Sequence, residues 1–204
     1  MWDTLATDEV IVTTVAALGE KGIEGIVVPD SAAALAKIQE LIPSGVSVMN
    51  GSSVTLEQIG FIDYLKSDGH PWQNLHAVIL AENDPVKRSQ LRKQASLSDY
   101  YLGSVHGLAM TGEMVIGSNT GSQLPHIVFS SPNLIFVVGA QKIVPTLADA
   151  RRRLEEYCLP LEDKRLRGLY GVGTRISKEV IFHAENPKSG RKVRVIIVKE
   201  KLGF

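Results

Sequence analysis

Helical and extended segments alternate along the first three quarters of this 204-residue chain, and this alternation constrains its fold more than any other feature. Short apolar runs of strand length are followed by stretches in which apolar residues recur every three or four positions, the period of a helix. The runs predict strands at 23–28, 46–49, 75–80, 100–105, 114–116 and 134–138, and the periodic stretches predict helices at 5–18, 31–42, 54–66, 84–97 and 147–157. The pattern predicts an α/β fold with a largely parallel, Rossmann-like sheet and helices on both faces.

The last part of the chain, residues 160–204, has a different character. Residues 160–178 contain several glycines and are predicted to be loop-rich. Two apolar runs follow at 180–183 and 193–198, and the Asn-Pro-Lys-Ser-Gly sequence between them is typical of a hairpin connection. We therefore expect a C-terminal β-hairpin that adds antiparallel strands to a sheet edge or forms a flap, within a single domain spanning 1–204.

The composition argues against several classes of function. Hydrophobic residues make up 44% of the chain, charged residues make up 22%, and the formal net charge is zero, so nucleic acid and anionic membranes have no electrostatic attraction to it. No apolar run reaches the length of a membrane span, and the acidic start, with Asp3, Asp8 and Glu9, is unlike a signal peptide. The single cysteine, Cys158, argues against a disulfide or a cysteine-based metal site. We expect a cytoplasmic protein without a metal site, and the residues indicate no particular cofactor.

Polar loops rich in glycine and hydroxyl residues follow three of the predicted strands, at 50–55, 117–122 and 139–142. Ligands of open α/β sheets bind beyond the carboxyl ends of the strands, so this fold would bring the loops together. Glycine permits close backbone approach, and hydroxyls together with the N–H groups at a helix start bind anions. The candidate ligands of a phosphate or carboxylate are Asn50, Gly51, Ser52, Ser53, Thr55, Asn119, Thr120, Gly121 and Lys142.

Each of these features also has a purely structural interpretation. Thr55 and Gln58 have the spacing of a capping box. Glycine after a strand is common in turns. The position of Lys142 after a strand suits a solvated lysine nearly as well as a lysine that binds the ligand. Taken alone, the loop at 50–55 is equally consistent with a ligand site and with a plain turn.

Two carboxylates are the candidate catalytic residues, since an acid–base or nucleophilic reaction needs such a group beside the ligand. Glu57 lies one turn into the helix after the first loop, and Glu113 lies in the turn before the second. Glu57 is more typical of a residue that complements the helix dipole, and Glu113 is more typical of a surface turn residue. His106 and His126 have no partner at a fixed spacing and are more typical of packed or surface histidines.

With these segments identified, the sequence resembles the lactate-utilization (LUD) domain family, which includes lactate utilization protein C-like proteins. The segments that carry the resemblance are 51–60 (GSSVTLEQIG), 112–115 (GEMV), 137–144 (VVGAQKIV) and 194–204 (RVIIVKEKLGF). The resemblance implies a fold similar to the ribose-5-phosphate isomerase and CoA-transferase group, in which the first glycine-serine-threonine turn holds a phosphate or carboxylate. It also implies a link to bacterial lactate oxidation, in which partner proteins carry iron–sulfur clusters.

The sequence departs from the family's pattern at two places. Relatives with this ending often carry a cysteine-rich segment before the final strands, whereas residues 168–177 contain no cysteine. Relatives often read Asp-Gly-Thr-Gly-Asn after the Gly-Glu turn, whereas residues 117–121 read GSNTG, without the acid. We therefore expect neither cluster binding in the first segment nor a role tied to that aspartate.

Two functions are consistent with the sequence. We expect a protein that binds a small anionic metabolite at the 50–55 loop and that the resemblance links to lactate utilization. The alternative is an enzyme of the isomerase or CoA-transferase type that acts on a sugar phosphate or a CoA ester. The candidate partners are the metabolite, iron–sulfur oxidoreductase subunits and a second copy of the chain in a homo-oligomer.

Overall fold

The structure is a computed structural model that describes residues 2–67 and 69–204. The helices are α1 (Asp8–Glu20), α2 (Ser31–Leu41), α3 (Val54–Gln58), α4 (Phe61–Lys66), α5 (Leu75–Ala81), α6 (Pro85–Gln94), α7 (Leu147–Arg153) and α8 (Leu159–Tyr170). The strands are β1 (Glu24–Val28), β2 (Ser47–Asn50), β3 (Gln73–Asn74), β4 (Tyr100–Gly103), β5 (Gly107–Ala109), β6 (Met114–Ser118), β7 (Asn133–Gly139), β8 (Ile143–Val144), β9 (Lys178–Phe182) and β10 (Lys192–Val198).

A six-stranded sheet in the order β1-β10-β7-β4-β2-β3 forms the centre of the molecule, and every neighbouring pair in it is parallel. Its two longest strands, β7 and β10, are paired along their whole length, from Lys192 opposite Asn133 to Val198 opposite Gly139. The predicted α/β fold with a largely parallel sheet is confirmed.

Side chains alternate between the two faces of this sheet. On β7, Leu134, Phe136 and Val138 pack with α1 and a second sheet, whereas Ile135 and Val137 pack with α2, α3 and α4. Both sets are completely buried, as expected for parallel strands covered on both sides. Helices therefore lie on both faces, as predicted, and one face is shared with the second sheet.

The second sheet has four strands in the order β8-β5-β6-β9. Strand β6 pairs antiparallel with both β5 and β9, and β5 pairs parallel with β8. Its outer side packs against α7 and the π-helical turn Leu154–Cys158 through Val115, Ala150 and Leu154. This second sheet was not predicted from the sequence.

The predicted C-terminal β-hairpin is wrong, although both of its strands exist. Strand β9 pairs with β6 in the second sheet, whereas β10 inserts in parallel between β1 and β7 in the large sheet. The residues of β10 explain its place, because Val193 and Val195 are buried on one face and Ile196 and Val198 on the other. Such a strand is stable only inside a sheet that is covered on both sides.

Two further predictions of local structure are wrong. Residues 75–80 form helix α5 instead of a strand, and the Asn74 side chain caps it by accepting from the Ala77 N–H. A short apolar run does not distinguish a strand from a helix by its periodicity. The start of the predicted loop-rich region is helix α8, which follows α7 through the π-helical turn and ends at Gly171 with φ at 71°.

None of the helices within the described ranges is long and apolar enough to cross a membrane.

Candidate functional site

A cavity of about 610 Å³ opens at the carboxyl ends of the parallel strands. Strands β2 and β4 end at Asn50 and Gly103, and both residues line the cavity. Helix α8 forms another wall, with Leu159 and Leu166 among its lining residues, and the β6 end of the second sheet contributes Gly117. The cavity therefore lies where the topology of an open parallel sheet places a ligand.

Most of the predicted ligand-binding residues line this cavity. They are Asn50, Gly51, Ser52, Ser53, Thr55, Asn119, Thr120 and Lys142. Gly121 does not line it: its φ is 83°, and a Cβ there would lie 2.6 Å from the Lys178 side chain. Gly121 therefore serves a tight turn, and the other eight residues come together from three separated loops.

Lys142 occupies the inner end of the cavity and is 2% exposed. Its Nζ donates to Thr55 Oγ1 at 2.9 Å, to Ser104 Oγ at 3.0 Å and to the Val105 carbonyl at 3.3 Å. All three acceptors are neutral, and no carboxylate of residues 2–67 or 69–204 forms an ion pair with it. Lys142 is thus a buried cation without a counter-charge among the described residues.

The hydroxyls around Lys142 are oriented by bonds of their own. Thr55 Oγ1 donates to the Leu202 carbonyl at 3.3 Å, and Ser104 Oγ donates to the Val137 carbonyl at 2.6 Å. Because each hydroxyl donates its proton to a carbonyl, its oxygen can only accept a hydrogen bond from Lys142. The two hydroxyls and the Val105 carbonyl therefore need three donated protons, which only the ammonium form of Lys142 has. Burial and the nearby Arg153 guanidinium act in the opposite direction and lower the Lys142 pKa to about 7.

Glycine is required at two positions close to this inner end. A Cβ on Gly51 would lie 2.6 Å from the Tyr101 hydroxyl. Gly203 has φ at 62°, and a Cβ there would lie 2.4 Å from Thr55 Oγ1 and 3.2 Å from Lys142 Nζ. The backbone of both segments therefore approaches the site more closely than a larger residue would permit.

The first loop also caps the helix that follows it, but the capping residue is Ser53 and not Thr55. Ser53 caps α3 by accepting from the Leu56 N–H at 3.3 Å. Gln58 accepts from the Gly203 N–H at 2.6 Å, so it does not complete a capping box with Thr55. Ser52 remains exposed at the cavity, with its Oγ 3.4 Å from the Arg165 guanidinium.

The two candidate catalytic carboxylates lie outside the cavity. Glu57 is exposed on α3. Glu113 forms an ion pair with Lys21 at 2.9 Å beside α1, and this pair and the Thr111 hydroxyl lower its pKa despite partial burial. A catalytic role for either residue stays a prediction, and the cavity geometry does not support it.

This chain matches one family model and has a fold similar to one solved structure. The model of the LUD domain matches residues 11–198. The chain belongs to the LUD domain family. This LUD domain is also similar to the crystal structure, at 1.70 Å resolution, of a DUF162 family protein from Deinococcus radiodurans, with a TM-score of 0.57 and 12% sequence identity over 96% of this chain and 99% of the other. At that identity the likeness establishes a shared fold. No curated protein matches the chain.

The charged side chains that line the cavity of this LUD domain are mostly cations, and three of them were not predicted from the sequence to be site residues. The cations are Arg92, Lys142, Arg165 and Arg175, and Glu162 is the one acidic side chain among the described lining residues. Glu162 is bound by Arg165 through two contacts of 2.7 and 2.8 Å. The cavity therefore has a positive potential, although the whole chain has no net charge.

Three histidines line the cavity of the LUD domain, and burial lowers the pKa of each. The His126 pKa falls to about 4, and its ring stacks on Tyr101 with centroids 4.5 Å apart. The His76 pKa is lowered by burial and by Arg92 and Lys66. The His106 pKa falls to about 3 through burial, Lys142 and Arg153. All three rings are thus neutral near pH 7, and the arrangement provides hydrogen bonds and positive charge for an anion.

No group of His, Cys, Asp and Glu side chains suited to a metal ion occurs in the part of the chain that the structure describes.

Proposed function

We propose that this LUD domain binds a small anionic metabolite, a carboxylate or a phosphate, with its anionic group against Lys142 and the 50–55 loop. The observation that supports the proposal most strongly is the charge of Lys142, to which residues 2–67 and 69–204 supply no counter-charge. Burying an ammonium group without a counter-charge is unfavourable, because the charge loses its hydration. An anion in the cavity would remove that penalty, which gives the site its affinity.

The size and charge of the cavity support the same proposal. Its volume of about 610 Å³ falls within the range of about 300–1,000 Å³ that is usual for small-molecule sites. Arg175, in the segment after α8, adds positive charge on that side of the cavity, where Arg165 is paired with Glu162. A three-carbon acid such as lactate would fill only part of this space, so we propose that the metabolite is larger than lactate or binds with a second molecule.

The link to lactate utilization is carried by the family alone, and it remains a proposal for this chain. Iron–sulfur oxidoreductase subunits as partners, a homo-oligomer and a cytoplasmic location also remain proposals. The alternative of an isomerase or CoA-transferase-like enzyme needs a carboxylate that reacts or takes a proton. Glu162, the one acidic side chain among the described residues of the cavity lining, is engaged by Arg165, so binding is the function that the geometry supports better.

A thermal-shift screen tests the proposal. The panel contains lactate, pyruvate, inorganic phosphate, ribose 5-phosphate and CoA thioesters at matched ionic strength. A compound that binds only the folded state, at a hundred times its Kd, stabilises it by roughly 2.7 kcal/mol. We expect at least one anion to raise the Tm of the wild type and to leave the Tm of Lys142→Met unchanged.

A matched control separates specific binding from loss of charge. Lys87 is exposed on α6 and does not line the cavity. Lys87→Met removes one positive charge as Lys142→Met does, so it should keep the full ligand-induced shift. A shift of equal size in all three proteins, or no shift with any anion of the panel, would contradict the proposal.

A further inference from the structure

His106 is held in one tautomer by the backbone of the second sheet. It lies between β4 and β5, and its Nδ1 accepts from the Gly117 N–H of β6 at 3.2 Å. A ring nitrogen that accepts a hydrogen bond carries no proton, so the proton of the neutral ring is on Nε2. His106 lines the cavity, and its Nε2 forms no hydrogen bond with residues 2–67 or 69–204.

Burial and the charges around His106 keep it in this form. Burial lowers its pKa most, and Lys142 and Arg153 lower it further, to about 3. The backbone carbonyl of His106 is itself fixed, because it accepts from the Arg153 guanidinium. His106 is therefore a neutral donor whose position and proton do not change across the physiological pH range.

Lys142 and His106 supply different things to a ligand at the inner end of the cavity. The three protons of Lys142 are committed to Thr55, Ser104 and the Val105 carbonyl, so this residue supplies charge. His106 supplies a free N–H group. At this inner end, the positive charge of Lys142 and the Nε2–H group of His106 match a carboxylate, which carries a single negative charge, better than a phosphate group, which carries about −1.5 to −2 charges and three acceptor oxygens at pH 7.

We propose that His106 binds a carboxylate group of the ligand, donating from Nε2 to one carboxylate oxygen while Lys142 balances the charge. The inference rests on the proposed function and narrows the ligand class to carboxylates. His106 is then a binding residue that selects the anionic group, and the remaining volume of the cavity holds the rest of the molecule.

Two substitutions at His106 separate binding from structure. In His106→Asn, the amide oxygen can take the place of Nδ1 and accept from Gly117, but no donor reaches the position of Nε2. In His106→Gln, the amide nitrogen can take the place of Nε2, but the acceptor for Gly117 is lost. A purely structural histidine would be replaced better by Asn, and a ligand-binding histidine would be replaced better by Gln.

The probes are sodium formate and inorganic phosphate, titrated at constant ionic strength and followed by the amide signals of Ser52–Thr55 and Ser104–Gly107. We expect formate to bind the wild type more tightly than phosphate does. His106→Asn should weaken formate at least ten-fold while keeping its Tm, and His106→Gln should stay within about three-fold of the wild type. Unchanged formate affinity in His106→Asn, or tighter binding of phosphate than formate in the wild type, would overturn the inference.

Lys142→Met in the same titration distinguishes the two proposals. If it abolishes formate binding while His106→Asn does not, anion binding at Lys142 stands and the role of His106 is refuted. If formate and phosphate leave the amide signals of the wild type unchanged, both proposals fail.

Discussion

Lys142 combines two opposing effects at a single nitrogen atom. Its hydrogen bonds to two oriented hydroxyls and one carbonyl require an ammonium group, whereas burial and Arg153 favour the neutral amine. The result is a pKa of about 7 in place of the ordinary 10.5. An anion in the cavity would raise this pKa again, so ligand binding above pH 7 should be accompanied by uptake of a proton.

The same shift predicts how stability depends on pH. Between pH 7 and 10.5 the unfolded chain keeps the Lys142 proton while the folded protein releases it. Because the unfolded state then binds more protons, the free energy of unfolding rises with pH in this range and has no such slope below it. Urea unfolding should show this slope, of at most about 1.4 kcal/mol per pH unit, in the wild type and not in Lys142→Met.

Other groups titrate above pH 7, so the comparison uses the difference between the two proteins at each pH. That difference should grow from pH 7 to pH 9 in favour of the wild type. Lys87→Met, with an exposed lysine removed, should follow the wild type. Parallel pH profiles for the wild type and Lys142→Met would show that the lysine keeps its ordinary pKa in the folded protein.

At the residue scale, the sequence predicted the loops well and the histidine poorly. Gly51 and Ser53 are identifiable because turn and cap chemistry depends on neighbouring residues. His106 is not, because its role depends on the Gly117 N–H and on Lys142, which the fold brings to it. Arg165 could not be predicted as a site residue either, because a basic residue in a predicted loop is most simply interpreted as a solvated side chain.

At the scale of elements, the main error concerned helix α8. Its glycines suggested turns, but Gly168 lies inside the helix, and only Gly171, at its end, has a left-handed φ of 71°. Helix periodicity is weak here because none of its residues is fully buried. The consequence for the site is large, since α8 carries Arg165 and Glu162 into the cavity wall.

Alanine substitutions at these two glycines test the helix directly. A Cβ would meet nothing within 4 Å at either position, so only the backbone conformation distinguishes them. Gly168→Ala should stabilise the protein by about 0.5–1 kcal/mol, because glycine is unfavourable inside a helix. Gly171→Ala should destabilise it by about 1–2 kcal/mol, because alanine resists the left-handed conformation. Chemical denaturation of both variants measures the two effects, and shifts of the same sign would contradict the assigned helix and its end.

The pairing of the strands also shows why the strand order of the large sheet could not be predicted from the sequence. Strands β2, β4 and β7 were predicted because each has a local apolar run. The insertion of β10 between β1 and β7 depends on pairing with residues more than fifty positions away. Local sequence alone favoured pairing β9 with β10 in a hairpin. Because both faces of β10 are apolar and buried, it pairs instead with the distant strands β1 and β7.

At the scale of the whole molecule, the alternation of helices and strands was enough to predict the fold class and the end of the sheet where the cavity opens. It was not enough to predict the second sheet, which supplies Gly117 and the wall behind His106. The site is therefore a product of both sheets: the parallel sheet brings Thr55 and Ser104 to Lys142, and the second sheet fixes the histidine. Although the chain has no net charge, the charged side chains that line the cavity are mainly cations.

Anomalous diffraction from bromide-soaked crystals tests whether an anion binds in this cavity against Lys142, and it requires no knowledge of the natural ligand. Bromide is a monovalent anion whose position is seen directly. We predict a bromide peak inside the cavity beside Lys142, Thr55 and Ser104 in the wild type, and its loss in Lys142→Met with the other peaks retained. Bromide at exposed arginines and lysines with none beside Lys142 would contradict the claim.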